Sequence, residues 1–67
     1  MNLDQYVGRI VRLREYAFGE MTRLNSRWSV GMENCFLVAK VDHPLRKLTC
    51  YREDLRITVP VADVVLI

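Results

Sequence analysis

The groups in this 67-residue sequence that could do chemistry are few: two cysteines, one histidine, ten basic side chains and one tryptophan. Cys35 and Cys50 stand alone, without a CxxC pair or a histidine cluster, so no zinc site is expected. His43 precedes Pro44 and has no serine or cysteine nucleophile at a motif spacing, which suits an exposed turn residue. Asp63 stands where an acid can cap a short helical turn. There is no glycine-rich phosphate loop, carboxylate dyad or catalytic triad. The expectation is a protein that is not an enzyme, with no cofactor and no metal, unless a homo-oligomer builds a site on its symmetry axis.

The basic residues offer two readings. Eight of the ten are arginine, whose planar fork pairs with phosphate, carboxylate and aromatic faces. If Arg9, Arg12, Arg14, Arg46, Lys47, Arg52 and Arg56 converge near Tyr51 or Trp28, they could hold phosphates while an aromatic ring stacks on a base. The alternative is a solvated face of mixed sign, because Glu15, Asp42, Glu53 and Asp54 lie close to the same cations. The net charge of only +2 fits that alternative. Trp28 lies in Ser26-Arg27-Trp28-Ser29, where an exposed ring would anchor a partner and a folded-back ring would cap a small core. With Arg27, Tyr16, Phe18 and Tyr51 it makes up the candidate partner-binding set.

Elements must position these groups, and the length allows one domain, since domains usually run roughly 100–200 residues. With 51% hydrophobic residues and 27% charged, residues 1–67 read as a single folded domain, neither disordered nor of low complexity. No apolar run approaches the ~18 residues of a membrane span, and MNLDQYVGRI has no signal-peptide pattern, so no membrane partner is expected. Tyr6–Tyr16 predicts a first strand, with Val7, Val11 and Leu13 on one face, Ile10 breaking the pattern and Gly8 marking a bulge or close approach. Ala17–Glu33 shows no period and reads as a long loop bracketed by Gly19 and Gly31, with room for a short helix at Glu20–Leu24. Cys35–Asp42 is the clearest strand, with Cys35, Leu37, Ala39 and Val41 opposite Phe36, Val38, Lys40 and Asp42. His43-Pro44 turns the chain into Arg46–Arg52, where Leu48 and Cys50 oppose Thr49 and Tyr51. Glu53-Asp54 breaks to Leu55–Val59, with Leu55, Ile57 and Val59 inward. Pro60–Asp63 suits a 3₁₀ turn, and Val64–Ile67 is the last strand. Five short strands with close turn signals predict an all-β barrel.

The strand reading also tests a disulfide. A turn at His43-Pro44-Leu45 pairs Asp42 with Arg46, Val38 with Cys50 and Cys35 with Glu53. The cysteines then sit on opposite faces, too far apart for the ~5.5 Å Cα separation a disulfide requires. Two reduced, mostly buried thiols are expected, and with them a cytoplasmic location.

The order of elements, with Gly8-Arg9-Ile10-Val11-Arg12-Leu13 at the start and Thr58-Val59-Pro60-Val61-Ala62-Asp63-Val64 at the end, resembles the SH3-like small barrel. That resemblance implies a five-stranded barrel with a long loop between strands one and two and a 3₁₀ turn before strand five. His43-Pro44 and Pro60-Val61-Ala62 are also similar to the plasmid-borne type II dihydrofolate reductases. The glutamine and tyrosine of that family's Val-Gln-Ile-Tyr are replaced here by Arg56-Ile57-Thr58-Val59, and its first-strand lysine falls near Leu13. The expected function is a non-catalytic protein-interaction or assembly module of bacterial or mobile-element type, bound to a protein partner or to itself. A nucleic-acid-binding barrel is the alternative, and a homo-oligomeric reductase the third.

Overall fold

The computed structural model describes residues 2–24 and 33–67. Five antiparallel strands form one sheet: β1 (Ile10–Leu13), β2 (Phe36–Asp42), β3 (Lys47–Arg52), β4 (Leu55–Pro60) and β5 (Val64–Leu66). Their order is β4-β3-β2-β1-β5, so three strands meander and the last pairs with the first. Among the described residues no ladder joins β4 to β5, and the sheet is open at those two edges.

The all-β expectation is amended by a helix, α1 (Glu15–Leu24). It begins within the expected first strand and occupies the first part of the expected loop. Ala17 is buried, and Phe18 and Met21 pack against the core, a spacing of three and four residues that lays one helix face on the sheet. Glu15 in the first turn and Arg23 in the last both oppose the helix dipole, and Arg23 pairs with Glu20 at 2.7 Å. Gly19 hides the helix from a reading by punctuation: it sits mid-helix, exposed, at a cost of about 1 kcal/mol relative to alanine.

Strand β1 is shorter than expected at both ends. Leu3–Tyr6 curls into a 3₁₀ turn, started by Asn2 Oδ1 accepting the Asp4 N–H at 3.0 Å. This turn buries Leu3 and Tyr6 and leaves Val7 outside. Gly8 then adopts φ +81, a conformation that favours glycine, and donates its N–H to Val38 O at 2.8 Å. A Cβ at Gly8 would meet nothing within 4 Å, so this glycine serves a turn and no close approach.

Strand β2 carries a bulge. Val38 pairs with Cys50 as expected, but the register shifts between Val38 and Lys40, and Asp42 pairs with Lys47 instead of Arg46. The extra residue, Ala39, changes the parity of everything after it. Val41 therefore packs on the same side as Phe36 and Val38, a correction to the face assigned it by simple alternation. The β2–β3 turn has four residues and ends on Arg46 at φ +52. Strands β3 and β4 close on the two-residue turn Glu53-Asp54, with Glu53 at φ +54, where glycine is usual.

The core is the inward side of the sheet: Val11, Leu13, Phe36, Val38, Leu48, Cys50, Ile57, Val59 and Val64, capped by Leu3, Tyr6 and Ala17. The main-chain ladder of β1 with β2 covers only Ile10–Leu37 and Val11–Phe36. A side chain extends it. Asn34 Oδ1 accepts the Leu13 N–H at 2.9 Å, and Asn34 Nδ2 donates to Leu13 O at 2.8 Å, so its amide imitates one more residue of strand. The 3₁₀ turn Val61–Asp63 forms as expected, but Asp63 does not cap it with its side chain. The Asp63 carboxylate instead accepts the Tyr16 hydroxyl, while Asp63 O accepts the Arg14 N–H and Ala62 O accepts Arg14 Nε–H. These bonds tie the start of α1 to the turn before β5.

Candidate functional site

Alternation along the strands gives the sheet a second side, away from the core. Paired residues share a side, so the register lines up Ile10 on β1, Leu37 on β2, Tyr51 on β3 and Arg56 on β4. Ile67 extends this row past β5, donating its N–H to Ile10 O at 3.1 Å. The row thus crosses β1 to β4 and continues to the residue that follows β5. Its apolar members are well exposed: Ile67 66%, Ile10 43%, Leu37 45% and Tyr51 37%. Side chains of this size, in contact range across neighbouring strands and in water, form a ridge and not a scatter of single exposed residues.

Cations flank the ridge. Arg12, Lys40, Lys47 and Arg56 are exposed and point away from the core by strand parity. None of the four has an ion pair among the described residues. Asp42 is the one carboxylate of the strands on this side, and its Oδ1 accepts the Leu45 N–H at 3.1 Å. The modest net charge of the chain therefore hides a locally basic face.

The partner-binding set from the sequence is dispersed. Tyr51 lies in the ridge. Tyr16 is exposed at the start of α1, and its hydrogen bond to Asp63 raises its pKa above the usual tyrosine value. Phe18 is half-buried against the core. Arg27 and Trp28 lie outside the described residues.

The arginine set does not gather either. Arg12 and Lys47 share the outward side of the sheet with Arg56. Arg9 is exposed just before β1, Arg14 is engaged with Ala62, and Arg46 sits in the β2–β3 turn. Arg52 has inward parity and is half-buried, with Nη1 3.3 Å from Cys35 Sγ and Nη2 3.4 Å from Glu33. Lys40, Ile10, Leu37 and Ile67 were not among the expected site residues. The signal that could have found them was Ile10 itself, whose break in the pattern of β1 marks the outward apolar position.

Among the described residues the remaining reactive groups do not come together. Cys35 and Cys50 are both free; burial pushes the Cys50 thiol up to about 11. His43 is exposed, with Nε2 2.9 Å from Asp4 Oδ1, which links the β2–β3 turn to the first 3₁₀ turn. Among the described residues no three His, Cys, Asp or Glu side chains come together as metal ligands, and no helix is long and apolar enough to cross a membrane. No family model, curated protein or solved structure matches the chain.

Proposed function

We propose that this chain is a non-catalytic protein-interaction module that binds through the outward side of its sheet. The observation that carries this reading is the exposed row Ile67-Ile10-Leu37-Tyr51, held in register across neighbouring strands. Apolar side chains on rigid strands lose little entropy on binding, and an aromatic beside an arginine is a frequent binding hot spot. The strand order and the 3₁₀ turn between β4 and β5 support reading the sheet as an SH3-like barrel. The two free thiols support a cytoplasmic setting. A photoreactive benzoylphenylalanine in place of Leu37 tests the binding face. It is expected to give protein adducts in extracts of cells expressing the chain, whereas the same group at Glu20 on α1 gives none. Equal labelling from the two positions overturns the reading.

A nucleic-acid-binding module is the second reading. The four outward cations against one carboxylate favour it. It requires binding of oligonucleotides that falls steeply with salt, and an absence of binding at low salt removes it.

A further inference from the structure

We propose that the occupant of the outward face is an acidic segment of another protein, a step that rests on the protein-interaction reading above. Three occupants could cover an apolar ridge with a basic surround, and the arrangement of charge separates them.

A second copy of this chain is disfavoured by symmetry. A two-fold pairing presents the same patch from both sides. Such a pairing brings Arg12, Lys40, Lys47 and Arg56 into the interface from both copies, eight cations in all against two copies of Asp42. Among the described residues Asp42 is the one carboxylate of the strands on this face, and its Oδ1 already accepts the Leu45 N–H. Like charges juxtaposed in an interface work against association.

Single-stranded nucleic acid would satisfy the cations. Sequence-tolerant binding, however, relies on successive aromatic platforms, one per stacked base. Among the described residues of this face Tyr51 is the only aromatic; its neighbours in the row are Leu37, Ile10 and Ile67. Aliphatic side chains in those positions suit aliphatic or aromatic side chains of a protein.

An acidic segment meets both requirements. Its apolar residues cover Ile10, Leu37 and Tyr51, while carboxylates on either side reach Arg12, Lys40 and Arg56. Arg56 is the strongest of these positions, because its fork can take a carboxylate in two parallel bonds beside the Tyr51 ring. The full chain's backbone amide spectrum provides the readout. Two blocked heptapeptides serve as probes, one alternating glutamate with leucine or phenylalanine, the other with lysine replacing every glutamate. A short oligothymidine strand is the third.

The glutamate peptide is expected to shift the amides of Ile10, Leu37, Tyr51 and Arg56. The lysine peptide should bind roughly tenfold more weakly or worse, and salt raised from about 50 to about 500 mM should weaken the glutamate complex several-fold. The double variant Lys40→Glu/Arg56→Glu, at two exposed positions, should retain the spectrum of the folded chain and lose roughly tenfold in affinity for the glutamate peptide. Equal responses to the two peptides overturn the acidic partner and leave the protein-interaction reading intact. A stronger response to oligothymidine assigns the face to nucleic acid, and concentration-dependent shifts of the same residues without any probe assign it to a second copy; either result overturns the proposal. Silence toward every probe also overturns it, while the adducts from position 37 decide separately whether the face binds protein at all.

Discussion

Cys50 and Cys35 show how two identical side chains acquire different chemistry from their strand positions. Cys50 has inward parity on a central strand and is fully enclosed, so its thiolate would form without solvent and its proton is held up to about 11 against an ordinary 9.0. The unfolded chain sheds that proton first. The contribution of Cys50 to stability is therefore complete below pH 9.0 and is lost as pH rises toward about 11. Denaturant midpoints measured across that interval should fall further for the native sequence than for Cys50→Val, which removes the titrating group and keeps an apolar side chain. At neutral pH a thiol reagent should modify Cys35 ahead of Cys50, because Cys35 is half-buried just before β2 and Cys50 is closed off. Both thiols being free agrees with the sequence reading, which placed them on opposite faces of a hairpin; the Val38–Cys50 pairing behind that inference is the observed one.

At the scale of elements, what was legible depended on how strictly each segment kept its period. Strands β3 and β4 alternate without interruption, and Leu48, Cys50, Ile57 and Val59 are inward as read. Strand β2 alternates in sequence but not in space, because a bulge at Ala39 adds a residue that no side-chain pattern announces. Gly19 hid the first half of helix α1, of which the sequence suggested only Glu20–Leu24, and Tyr6–Tyr16 looked like one long strand because β-branched residues flank a turn that depends on Gly8. Asn34 gave no signal at all, being one polar residue among several before a strand. Its pair of hydrogen bonds with Leu13 nevertheless closes the excursion between β1 and β2. Asn34→Ala leaves the Leu13 N–H and C=O without that partner and is expected to cost about 1–3 kcal/mol in chemical denaturation. Asn34→Asp keeps the acceptor but sets a carboxylate oxygen against the Leu13 carbonyl. Its loss should be greater at pH 7 than at pH 3, where a protonated carboxyl can donate.

For the molecule as a whole, the two sides of the sheet should answer differently to substitution. Leu48 is wholly enclosed, and Leu48→Ala should cost about 2–5 kcal/mol, enough to bring so small a domain close to unfolding. Leu37, of the same type on the adjacent strand, is 45% exposed, and Leu37→Gln should change stability by no more than about 1 kcal/mol. Thermal melts of the two variants check the contrast. A large loss in the Leu37 variant would mean that the ridge supports the fold and is not free to serve a partner. The candidate surface was only partly legible, because Tyr51, Arg12, Lys47 and Arg56 could be named from the sequence, whereas Lys40 was not, and their alignment with Ile10 and Leu37 depends on register, which is fixed by turns and bulges.

The amide of Asn34 has one more consequence. Leu13 and Asn34 hold the two ends of the α1-containing excursion side by side, so the sheet is joined at that point by the Asn34 side chain. The length of that interval can drift at small entropic cost, each doubling adding only about 0.6 kcal/mol. The excursion can thus change in length over evolutionary time while Ala17, Phe18 and Met21 keep its helix on the core and the five-stranded scaffold with its outward ridge persists.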